Sequence, residues 1–333
     1  MKMKRYKLFV LPVLAIVGAG LLGGCKKFPD PGLVIEEYQP DTTVRVSKGD
    51  RKVLLITIDG LRADILSQLK PASFENILKN AKYSFSAVTN LPVNNTGSWG
   101  SMLTGNFDTR LWDSTFYAVP VDTTNTIPVP LNITALRYTH GEDIGKRIVA
   151  VADWPNLVNT LMNDADKKLV TTGDEATKAA VEQVLRTDSA DLIVARFSDV
   201  QKAGAQYGFA DTDGYKAAIQ KVDSYVGAVM NALRSKPDYA SEKWLTLITT
   251  TQVSDTLLTT ENWANSPLQI PSFVIAHYPG FTPQDITKIN PAIIARTEDI
   301  TALILYWLRV SKPTSVVNGF SWIDRFELEF LTK

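Results

Sequence analysis

Apolar residues recur along this chain in two patterns. Continuous runs of strand length occur at "VLLITID" from Val53, "RIVAVAD" from Arg147, "ADLIVARFSD" from Ala190, "WLTLITT" from Trp244 and "PSFVIAH" from Pro271. They do not alternate with polar residues, as expected of strands buried on both faces. Between them the spacing changes to threes and fours. From Gly214 to Arg234 the positions Tyr215, Ala218, Ile219, Val222, Tyr225, Val226, Val229, Met230 and Leu233 predict one long amphipathic helix, and "EDITALILYWLRV", from Glu298 to Val310, predicts another. Strands alternating with helices predict an α/β fold, with a mostly parallel central sheet flanked by helices on both faces.

The chain's beginning does not fit that pattern. "MKMKRYK" is basic, "LFVLPVLAIVGAGLL" is apolar, and "LGGC" closes the segment. Residues 1–24 therefore resemble a bacterial lipoprotein signal peptide, with Cys25 as the lipidated residue; a signal anchor with an incidental cysteine is the alternative. Residues 25–50, punctuated by proline and without helical period, read as a tether, and residues 51–333 as the folded domain. No later segment is apolar for long enough to span a bilayer.

Lys2, Lys4, Arg5 and Lys7 leave with the leader, so 31 of the 35 basic residues remain against 35 acidic ones. A net charge near −4 argues against a nucleic-acid partner. Cys25 is the chain's single cysteine, so its lipidation would leave no thiol for disulfides or catalysis. The expected setting is the bacterial cell envelope, on the outer membrane or a periplasm-facing membrane, with the membrane reached through Cys25.

Two stretches carry candidate chemistry. The first apolar run ends at Asp59, before Gly60, and ligands gather beyond the carboxyl ends of parallel strands. Asp59 is thus either a ligand-binding acid or the N-cap of a helix beginning near Leu61. The second stretch, "LPVNNTGSWGSMLTGN" over residues 91–106, fits a loop leading into a helix N-terminus, where backbone N–H groups hold anions, or a plain Ser/Thr cap. Residues 107–135 read as a loop-rich excursion, in which Trp112, Phe116 and Tyr117 offer either a contact patch or core aromatics.

Together these stretches resemble the alkaline phosphatase superfamily, specifically the type I phosphodiesterase and nucleotide pyrophosphatase branch with its sulfatase relatives. There a strand ends in an Asp metal ligand, as in "LLITIDGLRADIL", and a Thr, Ser or Cys nucleophile comes next in a stretch closing on Leu-Thr-Gly, here Leu103 to Gly105. Residues 190–233, "EKWLTLITTTQV", "IPSFVIAHYPGF" and "ARTEDITALILYWLRV" match further family stretches in order. The resemblance implies an alkaline phosphatase-like fold from Lys52 to about Val310.

It also implies a degenerate metal site. Of the family's ligands Asp59 is retained, while the matching positions elsewhere hold Gln201, Ala205, Thr251 and Gln252, and no histidine lies between Val253 and Pro271. The nucleophile position falls on Asn94 or Asn95, with Thr96 the nearest hydroxyl and a weak catalytic candidate. A two-metal site of this type uses three imidazoles; the chain has only His140 and His277, each read as a surface or packing residue. Two dications about 4 Å apart repel by about 16 kcal/mol at an effective dielectric near 20, and one carboxylate among neutral groups cannot offset that.

Asp59 is accordingly expected to be a remnant metal ligand whose present use is helix capping, and no cofactor is expected, a single divalent cation being the alternative. The expected function is a membrane-anchored binding or scaffold pseudoenzyme, leaning away from catalysis, with an anionic small molecule near Asn95 to Gly97 or a protein as its unknown partner. The alternative is a phosphodiesterase, phosphatase or sulfatase-like hydrolase with a reduced site, using Thr96 and an ion at Asp59.

Overall fold

The protein is described by a computed structural model over residues 51–88, 95–106, 134–142, 146–251, 271–289, 294–312 and 317–331. The leader, Cys25, the tether, Asn94, Gln252 and the aromatics Trp112, Phe116 and Tyr117 lie outside the described residues. The strands are β1 (Arg51–Ile58), β2 (Ala81–Val88), β3 (Ile148–Ala152), β4 (Lys167–Val170), β5 (Leu192–Phe197), β6 (Lys243–Thr249), β7 (Pro271–His277) and β8 (Gln284–Asp285). The helices are α1 (Ala63–Leu69), α2 (Ala72–Leu78), α3 (Asn95–Thr104), α4 (Ala135–Glu142), α5 (Pro155–Asn159), α6 (Asp174–Thr187), α7 (Asp199–Tyr207), α8 (Asp213–Arg234), α9 (Ile286–Ile289), α10 (Asp299–Leu308) and α11 (Leu328–Leu331), with a 3-10 turn at Ile323–Phe326. Ala135, read from sequence as the end of the excursion, already opens α4. Among the described residues no helix is long and apolar enough to cross a membrane.

The eight strands form one sheet in the order β4-β3-β5-β1-β6-β7-β2-β8. Neighbours run parallel except β7, which is antiparallel to both β6 and β2. All eight residues of β1 are buried, which is why its sequence is continuously apolar rather than alternating. Val53 and Leu55 point into a core shared with Trp99, Met102 and Leu103 of α3 and Ile300, Leu303 and Trp307 of α10. Leu54, Ile56 and Ile58 point the other way, against Val181 and Val184 of α6 and Ile219, Val222, Val226 and Val229 of α8.

Helix α8 buries most of the predicted stripe, leaving Ala218 and Tyr225 half-buried, and adds one charged residue to it, Asp223. The Asp223 carboxylate accepts from the Ser73 and Phe74 N–H groups at 3.2 and 3.0 Å. It thereby caps α2 from another helix, meeting donors that the α2 sequence leaves open.

Strand direction decides which residues can meet beyond the sheet. The carboxyl ends of β1, β2, β3, β4, β5 and β6 share one edge. The other edge collects their amino ends together with the carboxyl end of the reversed β7.

Candidate functional site

Asp59 comes directly after β1 at the carboxyl edge and is fully buried. It does not cap a helix, contrary to the sequence expectation. Helix α1 starts at Ala63, and its N-cap, Arg62, makes no side-chain cap. Gly60 intervenes at φ 78°, a left-handed turn favouring glycine, and a Cβ there would sit 2.6 Å from the Gln201 Cα. The turn directs the Asp59 carboxylate back over the sheet. There Oδ1 accepts from the Thr251 hydroxyl at 2.6 Å and Oδ2 from Arg196 Nε at 2.7 Å.

Arg196 is the centre of the site. Its backbone pairs with Thr57 in the β5–β1 register, so its side chain leaves the sheet beside Asp59. It is 7% exposed. Nε meets Asp59, Nη1 meets Asp153, the residue after the end of β3, and Cζ lies 5.1 Å from the Trp154 ring centre. Burial works against the guanidinium's charge, but Asp59 and Asp153 outweigh it and hold its pKa above the ordinary value.

The network continues outward. Asp153 Oδ2 accepts from the Ser198 hydroxyl at 2.6 Å and from Lys202 Nζ at 3.1 Å. Burial pushes the Asp153 carboxyl up, but Ser198, Arg196 and Lys202 together pull it below the usual carboxylate range. Asp174, the first residue of α6, accepts from the Ser198 and Asp199 N–H groups at 2.7 and 3.0 Å. Burial, opposed by those two donors, raises its pKa to about 6.

The sequence-predicted positions divide. Asp59, Thr251 and Gln201 come together, Gln201 through its contact with Gly60; its Oε1 is buried without a partner. Ala205 lies one turn further along α7 and is exposed. Thr96 lies in the first turn of α3, the helix that follows β2 in the chain.

Both histidines lie at the opposite edge. His277 ends β7, where Nδ1–H donates to the Ile77 carbonyl at 3.0 Å and burial lowers its pKa to about 4. His140 is 3.4 Å from Asp166, the residue before β4.

Sequence reading missed Arg196, Asp153, Ser198 and Asp174. A signal was present: an arginine inside the apolar run "LIVARF", and an aspartate closing "RIVAVAD".

The family's metal pair does not fit these residues. Asp59 and Asp153 already share a fixed cation, Asp174 is held by the Ser198 and Asp199 N–H groups, and the Thr251 and Ser198 hydroxyls are turned to Asp59 and Asp153. Among the described residues no three of His, Cys, Asp and Glu are grouped to hold a metal ion.

Comparison with known proteins agrees with the architecture. The fold is similar to that of a 2-O GAG sulfatase (TM-score 0.63, 12% identity, covering 85% of this chain and 76% of that one). It is also similar to the lipoteichoic acid synthase LtaP from Listeria monocytogenes (TM-score 0.57, 12% identity, 81% and 74%). Murine ectonucleotide pyrophosphatase / phosphodiesterase 5 is similar over its whole structure (TM-score 0.53, 13% identity, 81% and 100%). No curated protein sequence matches. The family model described as type I phosphodiesterase / nucleotide pyrophosphatase matches residues 53–241, more than half of the chain. This chain therefore belongs to the type I phosphodiesterase / nucleotide pyrophosphatase family, on an alkaline phosphatase-like fold.

Proposed function

We propose that this chain is a lipid-anchored member of its family that does not hydrolyse esters and serves instead as a binding or scaffold protein at the bacterial envelope. One observation carries the reading: both oxygens of Asp59, the retained ligand position, are taken by Arg196 and Thr251 at 2.7 and 2.6 Å. The carboxylate is fully buried. An ion approaching Asp59 would have to displace a guanidinium held on two sides, and would find no imidazole there. For the same reason a reduced hydrolase using Thr96 and an ion at Asp59 is the weaker reading.

Anchoring rests on the leader and Cys25. The partner is an anionic small molecule at the start of α3, or a protein. The full-length chain should contain no stoichiometric zinc by elemental analysis and turn over neither phosphate nor sulfate mono- and diesters. Metal-dependent hydrolysis that disappears in Asp59→Ala would end this reading.

A further inference from the structure

Three carboxylates, Asp59, Asp153 and Asp174, meet at the carboxyl edge, with side chains or whole residues at most 8% exposed. Carboxylates taken out of water need a counter-charge or a proton, because the interior cannot solvate them. We infer that Arg196 is the resident cation of this site: a positive charge carried by the chain itself that holds Asp59 and Asp153 together where an exchangeable ion would otherwise be needed. This rests on the proposed function, in which the chain holds no metal pair.

The geometry is specific to a planar, two-sided cation. Nε and Nη1 face different carboxylates, and Cζ sits over the Trp154 ring. A lysine presents a point charge and could not serve both edges in one plane. The nearest other cation, Lys202, has a side chain 58% exposed and touches only the outer side of Asp153. Taking the guanidinium away would leave Asp59, Asp153 and the Thr251 and Ser198 hydroxyls around the space it filled, with Gln201 Oε1 unpartnered near by. That is an all-oxygen set suited to one hard divalent cation such as Ca²⁺ or Mn²⁺.

The test is thermal unfolding of the full-length chain with chelator, with millimolar Ca²⁺ or Mn²⁺, and with millimolar guanidinium. The wild-type midpoint should be the same in all of these conditions and in buffer alone. Arg196→Ala should lose roughly 10 °C and regain most of it on addition of Mn²⁺, Ca²⁺ or guanidinium. Should Arg196→Ala not fold, Arg196→Met combined with Asp59→Asn and Asp153→Asn should fold and be more stable than Arg196→Met alone, since no charge is then stranded.

A wild-type midpoint that falls on chelation overturns the inference. So does an Arg196→Ala chain that keeps the wild-type midpoint, or loses stability and responds to no cation, or a triple variant that recovers nothing. Ester turnover by a wild-type chain indifferent to chelation would instead sink the proposed function and leave the role of Arg196 standing.

Discussion

The two edges of the sheet each hold a buried cation, and the company each keeps differs. At the amino edge Lys82 is fully buried, donating to Thr282 and Gln284 at 3.2 Å each and to Glu329 at 2.8 Å, with the Phe326 ring 4.1 Å away. It fastens the C-terminal segment to the start of β2, and its carboxylate partner, 25% exposed, still reaches water. At the carboxyl edge Arg196 meets carboxylates whose side chains are 0% and 8% exposed. Lys82 is a latch between chain segments; Arg196 balances acids that have almost no access to solvent. Removing the first leaves an acid that can rehydrate, whereas removing the second strands charge in the interior.

The largest effect tests that contrast. Arg196→Ala should cost about 4 kcal/mol in chemical denaturation, because breaking a buried pair leaves an uncompensated ion. A cost equal to that of Lys82→Met would abolish the distinction between the edges.

The next effect belongs to the amino edge alone and depends on pH. The folded pKa of His277, about 4, lies below the ordinary 6.5. Above pH 6.5 both folded and unfolded chains carry it neutral, and stability at this site is complete. As pH falls from 6.5 to 4 the unfolded chain takes up a proton that the folded chain refuses, so about 3 kcal/mol is lost. His277→Asn keeps an N–H at the Nδ1 position for the Ile77 carbonyl and cannot titrate. Its stability relative to wild type should rise by about that amount between pH 6.5 and 4; parallel profiles would refute the assignment.

Asp174 works in the opposite sense at the carboxyl edge. Its folded pKa, about 6, exceeds the ordinary 3.8, so the stability from its tighter proton binding is full below pH 3.8 and is lost as pH rises through 6. Comparing the His277 variant with wild type cancels the Asp174 contribution, which both chains share, and keeps the two windows separate.

Lys82→Met should cost about 2 kcal/mol, through loss of its hydrogen bonds and its contact with Phe326, with Glu329 left partly hydrated. The smallest effect is a control at the Arg196 edge. Lys202 also touches Asp153, but from solvent, so Lys202→Ala should cost about 0.5 kcal/mol and vanish into experimental scatter at high salt. A large cost there would mean that proximity to Asp153, rather than burial, is what makes the guanidinium matter.

Much of the fold was legible because period reports burial directly. The apolar runs became β1, β3, β5, β6 and β7, and the stripe from Tyr215 to Leu233 became the buried face of α8. The candidate site was legible only in part. Asp59 stood out because a carboxylate ended a buried run, and Thr251 and Gln201 came from family order. The capping reading of Asp59 failed because local sequence shows a favoured residue before a helix but not the left-handed turn at Gly60 that separates them. Arg196 and Asp153 went unremarked inside the runs "ADLIVARFSD" and "RIVAVAD", since nothing linear links residues 59, 153 and 196.

The sequence by itself determined the layered α/β architecture, the place of Asp59 at a strand's end, and the shortage of imidazoles, because composition and period are properties of the chain. Which charge answers which was decided by tertiary structure alone. Laying β5 between β3 and β1 in parallel register puts Arg196 beside Thr57 and between Asp153 and Asp59. Only once that pairing exists is water excluded, and only then does the arginine's charge become the partner those acids require.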